Sequence, residues 1–271
     1  MAFVKPNFQQ HVDPQRKAAD IMVPRSIENR VAISMIIGRI QETLKEKSRR
    51  HRDELLKLGQ AAEDEPLSPN VLLLKESRQI VGMSTILQNP STKEVDFIFY
   101  FDRVSTLLVE KAMEVMHFDP YPVTTPQGSK YQGLKMAGEV SAVVILRGGS
   151  CLETGLKRVI PECKTGRMLV QTNFRTGEPE LHYLRLPGDI DEHASVLLLD
   201  PQMSSGGAAL MAVRVLVDHG VEEGRVVFVT YFAGKMGLNR LLKVFPEVRV
   251  VVGMVVDDLE ERWVEKRYLG C

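Results

Sequence analysis

The chain has 271 residues, 44% apolar and 26% charged, which fits one or two globular domains and excludes a disordered or fibrous chain. Its 35 basic residues balance 35 acidic ones, so no strong overall field for nucleic acid or an anionic membrane is expected. No apolar run is long enough to span a bilayer and no signal-peptide core opens the chain; the three cysteines, Cys151, Cys163 and Cys271, form no CxxC pair, which suits a reducing, cytoplasmic setting.

In chain order, the first predicted element lies in "PRSIENRVAISMIIGRIQETLKEKSRRHRDELLKL", where Ile33, Ile36, Ile37, Ile40 and Leu44 recur at helical spacing. Ser26 and Asn29 are the two candidate caps. The charged run "KEKSRRHRDELL" reads as a solvated helix face, with a nucleic-acid contact as the sharper alternative. Gly59–Asn70, acidic and carrying two prolines, reads as a linker. Beyond it "FDRVSTLLVEKAMEVM" has a helical stripe, and "VSAVVILRGG" runs from a strand into a glycine turn. "SCLETGLKRVI" suits a helix, and "GRMLVQTNF" and "ELHYLRLP" suit strands. The rest alternates: strand "SVLLLD", helix "GGAALMAVRVLVDHG", strand "RVVFVTYF", helix "GKMGLNRLLKVF", strand "VRVVVGMVV". Strands apolar on both faces, separated by helices, predict an α/β fold with a parallel sheet covered on both sides. The six histidines are scattered, with no HExxH spacing, so no protein-built metal site is expected.

Two strand ends carry candidate chemistry, because ligands of parallel α/β sheets bind beyond the carboxyl ends of the strands. After "SVLLLD" come Asp200, Met203, Ser204, Ser205, Gly206, Gly207 and Ala208, then a helix. Small residues let backbone wrap an anion, and the free N–H groups of the first helical turn suit a phosphate. No Walker A spacing occurs in the chain. Asp200 stands where a ribose diol, or a sugar bound with magnesium, would be held. The same residues also suit an ordinary strand–turn–helix junction with Asp200 as its polar end. The second strand end, "ILRGGSCLETG", offers Arg147 beside Gly148 and its neighbour, a charge next to backbone N–H groups that suits a pyrophosphate; a surface arginine in a tight turn is the alternative.

These stretches resemble the uracil phosphoribosyltransferase family, and more closely the phosphoribosyltransferase-like half of two-domain uridine-cytidine kinase-like proteins. The resemblance runs from about Leu72 to Arg249 through "LKESRQIVGMSTILQN", "TPQGSKYQGLKMAGEVSAVVILRGG", "TGEPELHYLRLP" and "LLLDPQMSSGGAALMAVRVLVDHGV". "ADIMVPRSIENRVAI" is similar to the end of a uridine kinase domain, whose P-loop does not occur here. The implied organisation is a kinase remnant over residues 1–58, a linker over 59–70 and a phosphoribosyltransferase-like domain over 71–271, with a uridine kinase domain in cis and a homo-oligomer.

The resemblance implies a type I phosphoribosyltransferase-like fold that binds 5-phosphoribosyl 1-diphosphate with Mg2+ arriving on the diphosphate. The family reaction joins uracil to the ribose, giving UMP and diphosphate. It assigns Met203, Ser204, Ser205, Gly206, Gly207 and Ala208 to the 5′-phosphate, Arg147 and Gly148 to the pyrophosphate, and Asp200 to the ribose hydroxyls. Asp200 is the best catalytic candidate.

Three departures weaken the catalytic implication. The family's glycine-rich base-binding run is replaced by "DDLEERWVEKRYLGC", of which Arg267, Tyr268 and Gly270 stay in register. Asp257, Asp258, Glu260 and Glu261 offer charge there but read more simply as a solvated acidic stretch. "TNFRTGEPE" stands in for an arginine-acidic loop, with Arg175 a partial substitute, and Ala208 stands where a serine is frequent. Three roles are compatible with this: a salvage enzyme making UMP, a degenerate regulatory module sensing a sugar phosphate or nucleotide, and an oligomerisation module of the kinase.

Overall fold

The computed structural model describes residues 66–173, 178–256 and 262–270, together with 29–39 and residues 6, 8, 10, 13 and 14. The chain divides into two compact units, Met1–Glu54 and Leu55–Cys271. In the first, a helix over residues 30–39 begins at Asn29, whose side-chain Oδ1 accepts from the Ala32 N–H at 3.1 Å. Asn29 is thus the cap that the described residues contain; Ser26, Ile40 and Leu44 lie outside them.

The second unit is built on one mixed sheet. Its strands are β1 (Val71–Leu73), β4 (Val140–Leu146), β5 (Lys164–Thr172), β6 (Pro179–Arg185), β7 (Ser195–Leu199), β8 (Gln202–Met203), β9 (Val226–Gly234) and β10 (Arg249–Val256). They lie in the order β1-β10-β9-β7-β4-β5-β6, with β8 paired to β9 beyond the end of β7. Every pairing is parallel except β5 with β6, which is antiparallel because β6 returns directly from β5. β7 and β9 are buried along their whole length, as strands covered on both faces must be.

The period-two alternation of each strand sorts its side chains between two cores. Ala142, Val144, Leu197, Leu199, Val227 and Val229 face one side, where they meet Phe97, Phe101, Val104 and Leu108 of α2 (Glu94–Met113) and Leu156 of α3 (Glu153–Val159). That layer also contains α1 (Arg78–Gln88) and α6 (Val264–Leu269). Val143, Ile145, Val196, Leu198 and Phe228 face the other side, against α4 (Gly207–Asp218) and α5 (Lys235–Val244). The parallel α/β sheet with helices on both faces is therefore as the sequence predicts.

Several elements escape the sequence patterns, helix α1 among them. β2 (Phe118–Thr124) and β3 (Lys130–Met136) form a separate antiparallel hairpin. Pro120 and Pro122 hide β2, since proline argues against a central strand; in a two-stranded hairpin both strands are edges and tolerate it. β1 and β8, three and two residues long, are too short to show a period. Helix α2 starts at Glu94, ahead of the stripe that predicts it.

Candidate functional site

The strand order runs outward in two directions from one point: β7-β9-β10 one way and β4-β5-β6 the other. Between β4 and β7 the connections diverge, leaving a crevice at their carboxyl ends, which is where open α/β sheets place ligands. Both predicted turns leave from there. Leu146 and Arg147, joined by a cis peptide, lead into Gly148 and Gly149. A Cβ on Gly149 would lie 2.3 Å from the Leu199 carbonyl oxygen, so only glycine lets the turn after β4 lie against the end of β7.

The second turn is held from beneath. The Pro201 carbonyl accepts from the N–H groups of Tyr231 and Phe232, and Met203 is buried in the core beside α4, so any ligand contact from Met203 would come from its backbone. A Cβ on Gly237 of α5 would lie 2.1 Å from the Ser204 carbonyl oxygen, and Arg240 donates to the Ser205 carbonyl at 3.1 Å. Gly206 takes the left-handed conformation (φ 80°) and no side chain caps α4, whose first N–H groups have no partner within the helix. Ser205 is exposed, and Ser204, Gly207 and Ala208 are half-buried. Arg147 and Ala208 line one cavity of about 750 Å³, with Gln171, Asn173 and Arg262 also in its lining. The structure thus brings together the two predicted turns.

It also adds residues that the sequence reading misses. Arg262 lies against Asp200: Nη1 donates to Oδ2 at 3.2 Å and Nη2 to Oδ1. The guanidinium rests on Gly148, where a Cβ would come within 2.6 Å of Nη2. Glu265 completes the group, 3.4 Å from Arg147 Nε and 3.9 Å from Arg262 Nε. The Asp200 side chain is only 3% exposed, whereas that of Arg262 is 41% exposed. Burial pushes the Asp200 carboxyl above the usual carboxylate range, and the Arg262 guanidinium opposes this without cancelling it. Asp200 in turn holds Arg262 more firmly protonated. Beneath them Cys151 is fully buried, and desolvation pushes its thiol up to about 12, so it behaves as an inert core residue.

The segment carrying Arg262 is anchored through Trp263, Val264, Arg267 and Tyr268. The Gln202 side-chain oxygen accepts from the N–H groups of Trp263 (2.8 Å) and Val264 (2.7 Å). Trp263 packs on Phe97 and Phe232 at centroid distances of 6.0 and 5.3 Å, and Val264 is fully buried. Arg267 donates to the carbonyls of Leu87, Asn89 and Thr92, tying α6 to the end of α1 and to the turn after it. The Tyr268 hydroxyl donates to Asp102 at 2.6 Å. Arg267 and Tyr268 are therefore structural anchors. Asp257, Asp258, Glu260, Glu261 and Arg175 lie outside the described residues.

Nothing in the local spacing singles out Arg262, which stands 62 residues from Asp200 in a densely charged run. The legible signal was the anchor beside it: the chain's single tryptophan followed by Val264 and Tyr268 at helical spacing. The magnesium that the resemblance implies does not fit at Asp200 as the site stands, since both carboxylate oxygens already face a fixed cation.

A second cluster lies at the opposite ends of the strands. Glu139, Asp189 and His193 bring ligand atoms within 4.8 Å of one another, and His193 is 3% exposed. Lys164 sits between the two carboxylates, 2.5 Å from Glu139 and 2.7 Å from Asp189, so an ammonium is already their counter-ion.

Comparison with known proteins identifies the family. The chain is 41% identical to mouse uridine-cytidine kinase-like 1 over 95% of its own length and 47% of that protein's. It is 39% identical to a uracil phosphoribosyltransferase of Dictyostelium discoideum, over 71% of this chain and 89% of that one. A solved protein from Aquifex aeolicus, AQ2163, shares the fold with a TM-score of 0.62 at 24% identity, covering 73% of this chain and 97% of its own. The chain spans about half the length of the uridine kinase-type relatives it matches. The family profile for uracil phosphoribosyltransferase covers residues 74–270, which contain both turns and the anchored segment, and on these grounds the chain belongs to the uracil phosphoribosyltransferase family.

Proposed function

We propose that residues 71–271 form a pyrimidine-salvage domain, in a cytoplasmic uridine kinase-type protein, that binds a phosphorylated ribose: 5-phosphoribosyl 1-diphosphate or a UMP-type nucleotide. One observation carries this reading: two small-residue turns, each following a parallel strand, meet at the sheet's topological switch point. The backbone N–H groups over Ser204–Ala208 would hold the 5′-phosphate at the positive end of α4. Arg147 and Gly148 would face a diphosphate, and Asp200 a ribose hydroxyl. In the family reaction, uracil displaces diphosphate at the ribose. This chain's residues would contribute binding, orientation and charge. No step is assigned to a metal, because Asp200 is held by Arg262.

A second reading, a catalytically degenerate regulatory or oligomerisation module of a uridine kinase, is favoured by that same ion pair and by the charged segment standing where the family's base-binding glycines would be. Two measurements separate the readings. Calorimetry with UMP should show binding; its absence would remove the phosphate-site reading. Diphosphate release from uracil and 5-phosphoribosyl 1-diphosphate would establish turnover, and binding without release would leave the regulatory module.

A further inference from the structure

We propose that Arg262 is a built-in counter-ion that turns this cleft away from metal-bound diphosphate sugars and toward metal-free phosphate monoesters, of the nucleoside 5′-monophosphate or ribose 5-phosphate class. The inference rests on the phosphate-binding reading above and adds a selectivity to it. Its basis is competition for one place. What sets a metal-bound diphosphate sugar apart from a monoester is its cation, which would come beside Asp200, and its diphosphate, which would lie along Arg147–Gly148. The Arg262 guanidinium covers both surfaces: it faces each oxygen of Asp200 and lies on Gly148 so closely that a single added carbon would collide with it. A divalent cation there would meet a cation of like charge, and Asp200 is too buried for water to screen the two.

The diphosphate turn is compromised as well. Glu265 pairs with Arg147 at 3.4 Å and puts a carboxylate where a second phosphate would come. Arg262 is not a loose side chain on a free end. The next two N–H groups are bonded to Gln202, and the next two side chains are packed into the core, so moving its backbone disturbs the fold. A phosphate monoester brings neither a cation to Asp200 nor a diphosphate to Arg147–Gly148, and its phosphate needs only the start of α4, so what it must share with Arg262 is at most the ribose contact that both ligand classes make. Arg262 Nε is itself buried without a hydrogen-bond acceptor, and a ribose or phosphate oxygen would supply one.

The test is calorimetry on the full chain with UMP, ribose 5-phosphate and 5-phosphoribosyl 1-diphosphate, each with magnesium and with chelator. In the native protein, both monoesters should bind equally well with and without magnesium, and magnesium should not strengthen binding of the diphosphate sugar. In Arg262→Gln and Arg262→Ala, with folding checked by thermal melts, magnesium should strengthen diphosphate-sugar binding by about tenfold or more, within the range typical of coupled sites. Equal magnesium effects in native and variant proteins would overturn the proposal. Where the Arg262 variants do not fold, Glu265→Gln gives an independent reading. It should tighten metal-free diphosphate-sugar binding several-fold relative to UMP binding, and an unchanged ratio of the two affinities would overturn the proposal. Binding of none of the three ligands to the native protein would instead remove the phosphate-site reading on which the proposal stands.

Discussion

The Asp200–Arg262 pair shows what a buried charge requires of its neighbours. Removing one partner of a buried pair leaves the other desolvated and uncompensated, and with Arg262 partly open to solvent the loss in Arg262→Ala should be about 2 kcal/mol near neutral pH. The sign with pH follows from the direction of the Asp200 shift. Its carboxyl titrates above the usual range, and without Arg262 both burial and Glu265 raise it further. The deficit is therefore present where Asp200 is ionised and fades as pH falls through its raised pKa and a proton replaces the missing cation. Chemical denaturation of native and variant protein at neutral and mildly acidic pH should show the gap narrowing on acidification; a widening gap would contradict the assignment. Gly237 is a second test at this scale. A methyl group there strikes the Ser204 carbonyl, so Gly237→Ala should push the Ser204–Ala208 turn outward and, on the proposed phosphate role, weaken UMP binding by about tenfold, or about 1.4 kcal/mol, as calorimetry would detect. The turn residues themselves were legible because glycine and small side chains announce close backbone approach. Arg262 was not, because an ion pair between residues 62 positions apart leaves no local pattern.

At the scale of elements, the β2–β3 hairpin differs from the rest of the unit. Every residue of β2 is exposed, and Tyr121, Tyr131 and Leu134 stand 52%, 61% and 69% open. A two-stranded hairpin has little intrinsic stability in water, and a projecting one with apolar side chains on show is suited to lie against another surface. If that surface is a second copy of the chain, Tyr131→Lys with Leu134→Lys should halve the mass measured by light scattering and leave the helix and sheet signals in circular dichroism intact; an unchanged mass would exclude the hairpin as the contact. The sequence conceals this element because its prolines break the strand pattern. By contrast, β7, β9, α4 and α5 were plain in the sequence, since continuous apolar strands and striped helices are what a doubly covered sheet demands. The anchored helix α6 was half-legible: the resemblance kept Arg267 and Tyr268 in register, but nothing in the spacing put Trp263 and Tyr268 in the aromatic cluster around Phe97 and Phe101.

For the molecule as a whole, the strand order decides where chemistry can happen, and the order depends on long-range pairings that a single sequence does not display. The alternation of strands and helices implied a parallel sheet and its carboxyl-end face; it could not say that β4 and β7 would be neighbours and bring two separate turns to one crevice. The division at Glu54 and Leu55 carries its own prediction. A fragment comprising Leu55–Cys271 contains both faces of the sheet and its helices, so it should melt cooperatively within about 4 °C of the full chain, as expected when less than about 1 kcal/mol is lost in a unit of this size. A larger fall would show that the first unit stabilises the second.

The bonds from Trp263 and Val264 to Gln202 have one further consequence. Helix α6 is stapled to the residue that precedes the Met203–Ala208 turn, so the helix and the turn belong to the same cooperative block. Cutting the protein before Trp263 would then not trim a tail. It would strip Gln202 of both donors, open the aromatic cluster to water, and be felt in hydrogen exchange at the loop before it was felt in the sheet.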